Sequence, residues 1–249
     1  MWKRVGASAF ALALLYPLAG LLVPIGPWRW GNGSATLDAV RVSLVLTAVA
    51  MAVVVAAGTP MALYVTRATP RERIVWQGIL LLSVLLPPLA LGILISLAFG
   101  PHALGALLDR AGLKMANTPL AFVVTQVYVS IGYYVLGAIA ALGTVPRSLE
   151  AQAALLGADS WAVFRRVTFP LARLGLAVAL SLAWVRALTE FGAVIVTAYY
   201  PAGMPVAIWT SLENFGLPAV MPLLVVFLAA ALPLPWLAHI AAARRATDA

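Results

Sequence analysis

The sequence predicts an all-α integral membrane protein of about six transmembrane helices, and three observations carry that expectation. Of its 249 residues, 63% are hydrophobic. Only 10% are charged, against roughly 25% in soluble domains. The uncharged stretches between charged positions reach the about 20 residues that a helix needs to cross a hydrocarbon core of about 30 Å. A soluble domain of this size needs a polar shell, whereas the outside of a bundle in lipid stays apolar. A strand reading of the same runs requires a closed barrel with alternating polarity, and none of them alternates.

Taken in order, the spans fall near 5–23, 40–65, 74–99, 120–143, 172–195 and 219–240. Before the first, Met1-Trp2-Lys3-Arg4 resembles the start of a signal peptide. The apolar run that follows exceeds the roughly 7–15 residues of a signal core and has no clean Ala-x-Ala site, so it reads as a retained helix. Proline and glycine in the second, third and sixth spans permit bends and close packing, which membrane helices tolerate. No internal repeat and no low-complexity tract divides the chain, so a single membrane domain over 1–249 suffices.

Basic residues set the expected sidedness. With the amino terminus inside, Lys3, Arg4, Arg67, Arg71, Arg73, Arg147, Arg165, Arg166, Arg173, Arg244 and Arg245 are cytoplasmic, and Arg29, Arg41, Arg110 and Lys114 are outside. That bias places both termini in the cytoplasm. The formal charge of +8 therefore faces anionic lipid rather than nucleic acid, because the basic residues interleave with apolar runs.

The connection 144–173 is the longest cytoplasmic one. Residues 150–163 are rich in Ala and Leu, with Ser148 an expected N-cap and Asp159 or Ser160 the cap of a second short helix after Gly157-Ala158. Small residues at Ala151, Ala153 and Ala154 let such a helix approach another protein closely. Physics alone leaves it open whether the segment is a plain amphipathic connector or a docking surface. Pro170 is expected to start the fifth membrane helix, where its missing N–H is harmless.

Arg186 and Glu190 are the only formal charges placed inside the membrane. Arg186 lies roughly 21 Å along the helix from Ala172, past the middle of the core. Their i, i+4 spacing puts both on one face. They form either a self-neutralising pair that fixes helix packing or a lining element of a path, with arginine favouring an anion. Other chemistry is thin. The chain has no cysteine, and His102 and His239 stand apart without carboxylates at metal spacing, so no metal site is expected. No Gly-x-x-x-x-Gly-Lys loop, Gly-x-Ser-x-Gly elbow or His-Glu-x-x-His is present, so no catalytic residue is assigned.

The connection resembles the signature loop of permease subunits in binding-protein-dependent, ATP-binding-cassette importers. In that loop an Ala-rich helix is followed by glycine and, thirteen residues later, by proline after hydrophobics. Gly157, Val167, Phe169 and Pro170 match. Ala151 stands where the usual glutamate precedes the glycine by six residues, Gln152 stands where alanine follows it, and Glu150 matches the first of the two glutamates often seen. Gly58-Thr59-Pro60 with Tyr64 and Arg67, Leu86-Pro87-Pro88 with Gly92, Phe99 and Gly100, and Gln126-Val127-Tyr128-Val129-Ser130 are similar to the molybdate, tungstate and sulfate branch. So is the stretch from Arg186 to Ala193. Tyr199-Tyr200-Pro201, otherwise an interfacial aromatic belt, looks more like molybdate/tungstate permeases than sulfate ones.

The resemblance implies a permease that encloses its path as a homodimer with a second copy. It implies two cytoplasmic ATPase subunits, which bind ATP and Mg, and an extracytoplasmic binding protein that delivers a small oxyanion. No cofactor is expected in this chain. The ATPase contact falls on Glu150, Ala151, Gln152, Ala153, Gly157, Ala158 and Pro170, and the path on Arg186 and Glu190. The location implied is a prokaryotic cell membrane. The alternative, an ion-coupled secondary transporter, predicts inverted repeats, interrupted helices and several buried acids; of the acids only Glu190 qualifies.

Overall fold

The computed structural model describes residues 10–23, 26–29, 33–100, 104–233, 235–237 and 240. Among them there is no strand. Helix α1 (Phe10–Leu22) ends in a 3-10 stretch, Tyr16–Leu22, and buries no residue. Residues 5–9 of the first expected span lie outside the described residues, as do His102 and His239. Helix α2 (Gly33–Arg67) is 35 residues long and begins ahead of the expected position 40.

The third expected span, 74–99, is not one straight helix. It is α3 (Pro70–Leu85) and α4 (Pro88–Ala98), bent by 106°. Pro87 and Pro88 remove two backbone donors in succession, and proline forces the residue before it out of the helical region. Leu86 and Pro87 are accordingly extended, with ψ of 127° and 135°. After α5 (Leu104–Arg110), α6 (Pro119–Gly143) starts from Thr118, whose hydroxyl accepts the Ala121 N–H.

Two short helices follow, as expected: α7 (Arg147–Leu155) and α8 (Ser160–Val163). Ser148 is not the N-cap of α7; Pro146 precedes the helix and Ser148 sits in its first turn. Asp159 does cap α8, its Oδ1 accepting the Ala162 N–H at 2.8 Å. A π turn at Phe164–Thr168 leads into α9 (Phe169–Leu188). Pro170 lies in the first turn of α9, as expected, and the π turn makes α8 and α9 one continuous helical run, Ser160–Leu188. Proline inside a helix removes one i→i−4 bond and crowds the carbonyl four residues back. The π turn just upstream, where the Phe169 N–H reaches back to the Phe164 carbonyl, widens the helix at that point.

The fifth expected span stops at Leu188 and resumes as α10 (Val194–Thr197). Helices α11 (Met204–Phe215) and α12 (Leu217–Ala231) follow, the apolar run continuing to Leu237. By length and composition, four helices among the described residues suffice to cross a membrane, or five if the bent pair counts as one span.

Helix α6 is the hub of the packing: 56% of its apolar window is buried, against 33% of that in α2. It lies between α2, α3 and α9. Between apolar helices in lipid the hydrophobic effect gives no net drive, so association rests on close packing of small residues. A Cβ on Gly137 would lie 2.7 Å from the Ala179 Cβ, and one on Gly175 would lie 2.5 Å from the Ala141 Cβ. On the α2 side, a Cβ on Gly58 would meet the Tyr134 ring at 2.8 Å, and Thr59 Oγ1 and Tyr134 Oη share a hydrogen bond of 2.7 Å.

Gly137→Val should therefore push α6 off α9 and destabilise the protein by about 1–3 kcal/mol, the usual range for overpacking. Gly143→Ala, which meets nothing within 4 Å, should leave stability unchanged or slightly raised, by up to about 1 kcal/mol. Thermal unfolding midpoints of the purified variants in one detergent check both.

Candidate functional site

Two regions hold the residues singled out from the sequence: the connection 144–173 at one end of the bundle, and the helix breaks farther along α9. In the connection, α7 ends on Gly157, whose φ of +88° lies in the left-handed region. The Ala158 N–H bonds the Ala153 carbonyl at 3.1 Å and the Gly157 N–H bonds the Ala154 carbonyl at 3.0 Å. This pair of bonds is the Schellman closure, and it fixes the angle between α7 and α8. A Cβ at Gly157 would meet nothing within 4 Å, so backbone conformation and not space selects glycine here.

Glu150 points into the protein. Its Oε1 lies 3.2 Å from Arg67 Nη2 at the end of α2 and also accepts the hydroxyl of Thr168, a buried residue of the π turn. One carboxylate thus ties α7 to both α2 and the base of α9. Arg147, the first residue of α7, donates from Nη2 to the Thr66 carbonyl at 3.0 Å, and Arg73 of α3 donates to the same oxygen. The last carbonyls of a helix have no internal donor and carry partial negative charge, so guanidinium groups satisfy them well. Helix α3 starts beside this knot with a capping box. Hydrogen bonds from the Thr69 backbone N–H and hydroxyl hold the Glu72 carboxyl below the usual glutamate range.

At the tip of the connection, large apolar side chains face outward beside polar ones. Ala151 and Gln152 are exposed and Ala153 and Ala158 half-buried, while Leu155 and Leu156 at the tip are 87% and 89% exposed and Trp161 is also exposed. Sequence reasoning missed this tip. Its signal is the pair of leucines directly ahead of the glycine that ends α7.

Farther along, the broken helices seat into each other. A Cβ on Gly92 of α4 would lie 2.8 Å from the Ala193 Cα, and one on Gly192 would lie 2.9 Å from the Pro88 Cβ. Arg186 and Glu190 are not in the middle of a continuous helix: Arg186 is in the last turn of α9 and Glu190 is in the break. They form the ion pair their spacing predicts. The Glu190 side chain is 1% exposed and also accepts the Ala193 N–H at 2.6 Å, which caps the start of α10.

The Arg186 side chain is 22% exposed, and its guanidinium lies 5.9 Å from the centre of the Tyr133 ring, within cation–π range. From α6, Gln126 Nε2 donates to the Ala187 carbonyl at 3.0 Å and to Thr47 Oγ1 of α2 at 2.9 Å. Thr125 and Thr197 share a bond of 2.7 Å between α6 and α10. The break is thus held by side chains of the hub helix. Gly92 and Gly192 belong to the motifs of the family resemblance, whereas nothing in the sequence marks Tyr133. No group of three metal-ligating side chains occurs among the described residues.

The sequence profile of one family, binding-protein-dependent transport system inner membrane component, matches residues 55–246. The chain belongs to that family. A probable molybdenum ABC transporter permease of Haloferax volcanii is 34% identical over 248 residues, covering 96% of this chain and 90% of the relative. A molybdate/tungstate transport system permease of Thermococcus kodakarensis is 27% identical over 197 residues, covering 79% and 74%. Among solved structures, a bacterial ABC transporter involved in the import of the acidic polysaccharide alginate superposes with a TM-score of 0.71, at 17% identity and 98% coverage of both chains. The chain is therefore a multi-pass permease of the inner membrane, with the importer fold and a dependence on a binding protein.

The burial difference within the ion pair gives a directional expectation. Arg186→Gln strands the buried Glu190 carboxylate and should destabilise by about 3–5 kcal/mol, the range for breaking a buried pair. Glu190→Gln leaves an arginine that still reaches water and should destabilise less. Unfolding midpoints of the two variants, measured side by side, check the order.

Proposed function

We propose that this permease forms the transmembrane path of an ATP-binding-cassette importer for a small oxyanion, molybdate or tungstate first and sulfate next. The relatives' names support the cargo, and the part-exposed Arg186 beside Tyr133 suits an anion. The assembly is two copies of this chain, two cytoplasmic ATPase subunits that bind ATP and Mg, and an extracytoplasmic binding protein. Both termini and the 144–173 connection lie in the cytoplasm.

The observation that carries the coupling role is the build of that connection: an exposed apolar tip on a base locked to two membrane helices. Ala151, Gln152, Leu155, Leu156 and Trp161 meet the ATPase. Glu150, included with the ATPase contact on sequence grounds, works differently. It is a positioning residue that holds α7 to Arg67 and Thr168, so that a push on the tip moves α2 and α9 together. Gly157 and Asp159 set the angle of the tip, and Pro170 with its π turn joins it to α9. At the other end of α9 the interlocked breaks around Glu190 and Gly192 form the constriction.

The test is ATP hydrolysis by the complex of this chain with its ATPase and binding protein in proteoliposomes, offered molybdate, tungstate and sulfate in turn. Stimulation by molybdate or tungstate is expected. Stimulation by sulfate alone moves the cargo to the sulfate branch, and a complex indifferent to all three removes the oxyanion. Uptake by the chain alone, with no ATPase bound, would replace the importer with an ion-coupled carrier.

A further inference from the structure

A cavity of about 920 Å³ opens between α2 and α9, closed at one end by the connection through Trp161 and Phe164 and reaching none of the helix breaks. Val55 and Leu63 of α2 and Leu176 and Leu180 of α9 give it apolar walls. The hydroxyls of Thr59 and Tyr134, also on its wall, bond each other at 2.7 Å. At one end stand Arg67, Arg165 and Arg173. Arg67 is engaged by Glu150. Arg165 and Arg173 are exposed and have no hydrogen-bond or ion-pair partner among the described residues.

Dimensions narrow the occupant. From Val55 to Arg67 the wall rises roughly 18 Å at 1.5 Å per residue, close to one leaflet of a hydrocarbon core about 30 Å thick. The charged end is the end that bears the connection, where Arg165 follows α8 and Arg173 is the fifth residue of α9. An apolar trough one leaflet deep with two unpaired guanidinium groups at its rim matches an amphiphile with an acyl chain and a phosphate. Basic pockets of this kind between membrane helices select anionic head groups. Guanidinium engages phosphate oxygens in pairs, and a zwitterionic head group would bring a competing cation to the same rim. A free oxyanion would be satisfied at the rim alone and would leave the trough unfilled.

We propose that this cavity is a binding site for one anionic phospholipid, its phosphate on Arg165 and Arg173 and an acyl chain along α2 and α9. Occupancy would wedge the two helices that the Glu150 clamp joins, making the site a place where lipid composition acts on the permease. The site stands on its own geometry and needs no particular transport cargo.

Native mass spectrometry of the full-length protein, exchanged into mixed micelles of phosphatidylglycerol or phosphatidylcholine, counts the lipid retained. The wild type is expected to keep phosphatidylglycerol preferentially. Arg165→Gln with Arg173→Gln should lower that retention about tenfold. Ala177→Trp, which fills the trough and leaves the charges in place, should lower it as well, and it decides the matter if the arginine variant does not fold. Equal retention of both lipids by the wild type, or retention unchanged in the variants, overturns the proposal. So does displacement of the lipid by inorganic phosphate, which would make the rim an anion site. A disulfide between two copies carrying Leu63→Cys would also overturn it, because a second copy would then cover the cavity.

Discussion

Close approach of α6 to its neighbours is the constraint on which the rest of the fold depends. In lipid the backbone hydrogen bonds of each helix are satisfied within the helix, and what holds helices together is contact between surfaces. Gly137 against Ala179 and Gly175 against Ala141 let α6 and α9 touch at two levels about one helical turn apart, while Gly58 lets α2 lie on Tyr134. With the hub packed, its polar side chains come to fixed places. Gln126 reaches the last turn of α9 and Thr125 reaches α10, so the helix break is positioned by the same surface that holds the bundle.

That arrangement gives α9 a distinct character at each end. At its base the helix run passes through the π turn, where Thr168 joins Arg67 on the Glu150 carboxylate. At its far end it stops, and Glu190 caps the next short helix while pairing with Arg186. Between them α9 is an uninterrupted rod of 20 residues, roughly 30 Å at 1.5 Å per residue. In the proposed importer this rod carries displacement from the connection to the interlocked breaks. Broken helices also occur in ion-coupled carriers. Here family membership decides between the two, since the breaks by themselves suit either.

Much of this was legible in the sequence, for reasons that also explain the misses. Apolar run length reports the solvent, so the helical membrane class followed directly. It does not report backbone direction, and the span 74–99 therefore read as one helix although Leu86-Pro87-Pro88 turns it by 106°. Asp159 as a cap and Gly157 as a break rest on local backbone chemistry and were readable. Ser148 fell to Pro146, which already fixes the start of α7. Pro170 at the start of α9 was readable too, whereas the π turn that joins α9 to α8 has no local signature. The i, i+4 pair of Arg186 and Glu190 was readable because it is local. Glu150 with Arg67 and Arg147 with Thr66 join residues more than eighty positions apart, and nothing in a single sequence pairs them. Gly58, Gly92 and Gln126, noticed only as family marks, turn out to be contact positions.

Held by Glu150, the connection moves as one body with the end of α2. Spin labels at Ser148→Cys on α7 and Arg71→Cys at the start of α3, both exposed, measure this in the assembled transporter by double electron–electron resonance. One intrachain distance is expected, the same without nucleotide and with ATP trapped. A distance that shifts between the two states would contradict it, because the connection would then swing free of the helices it is said to drive.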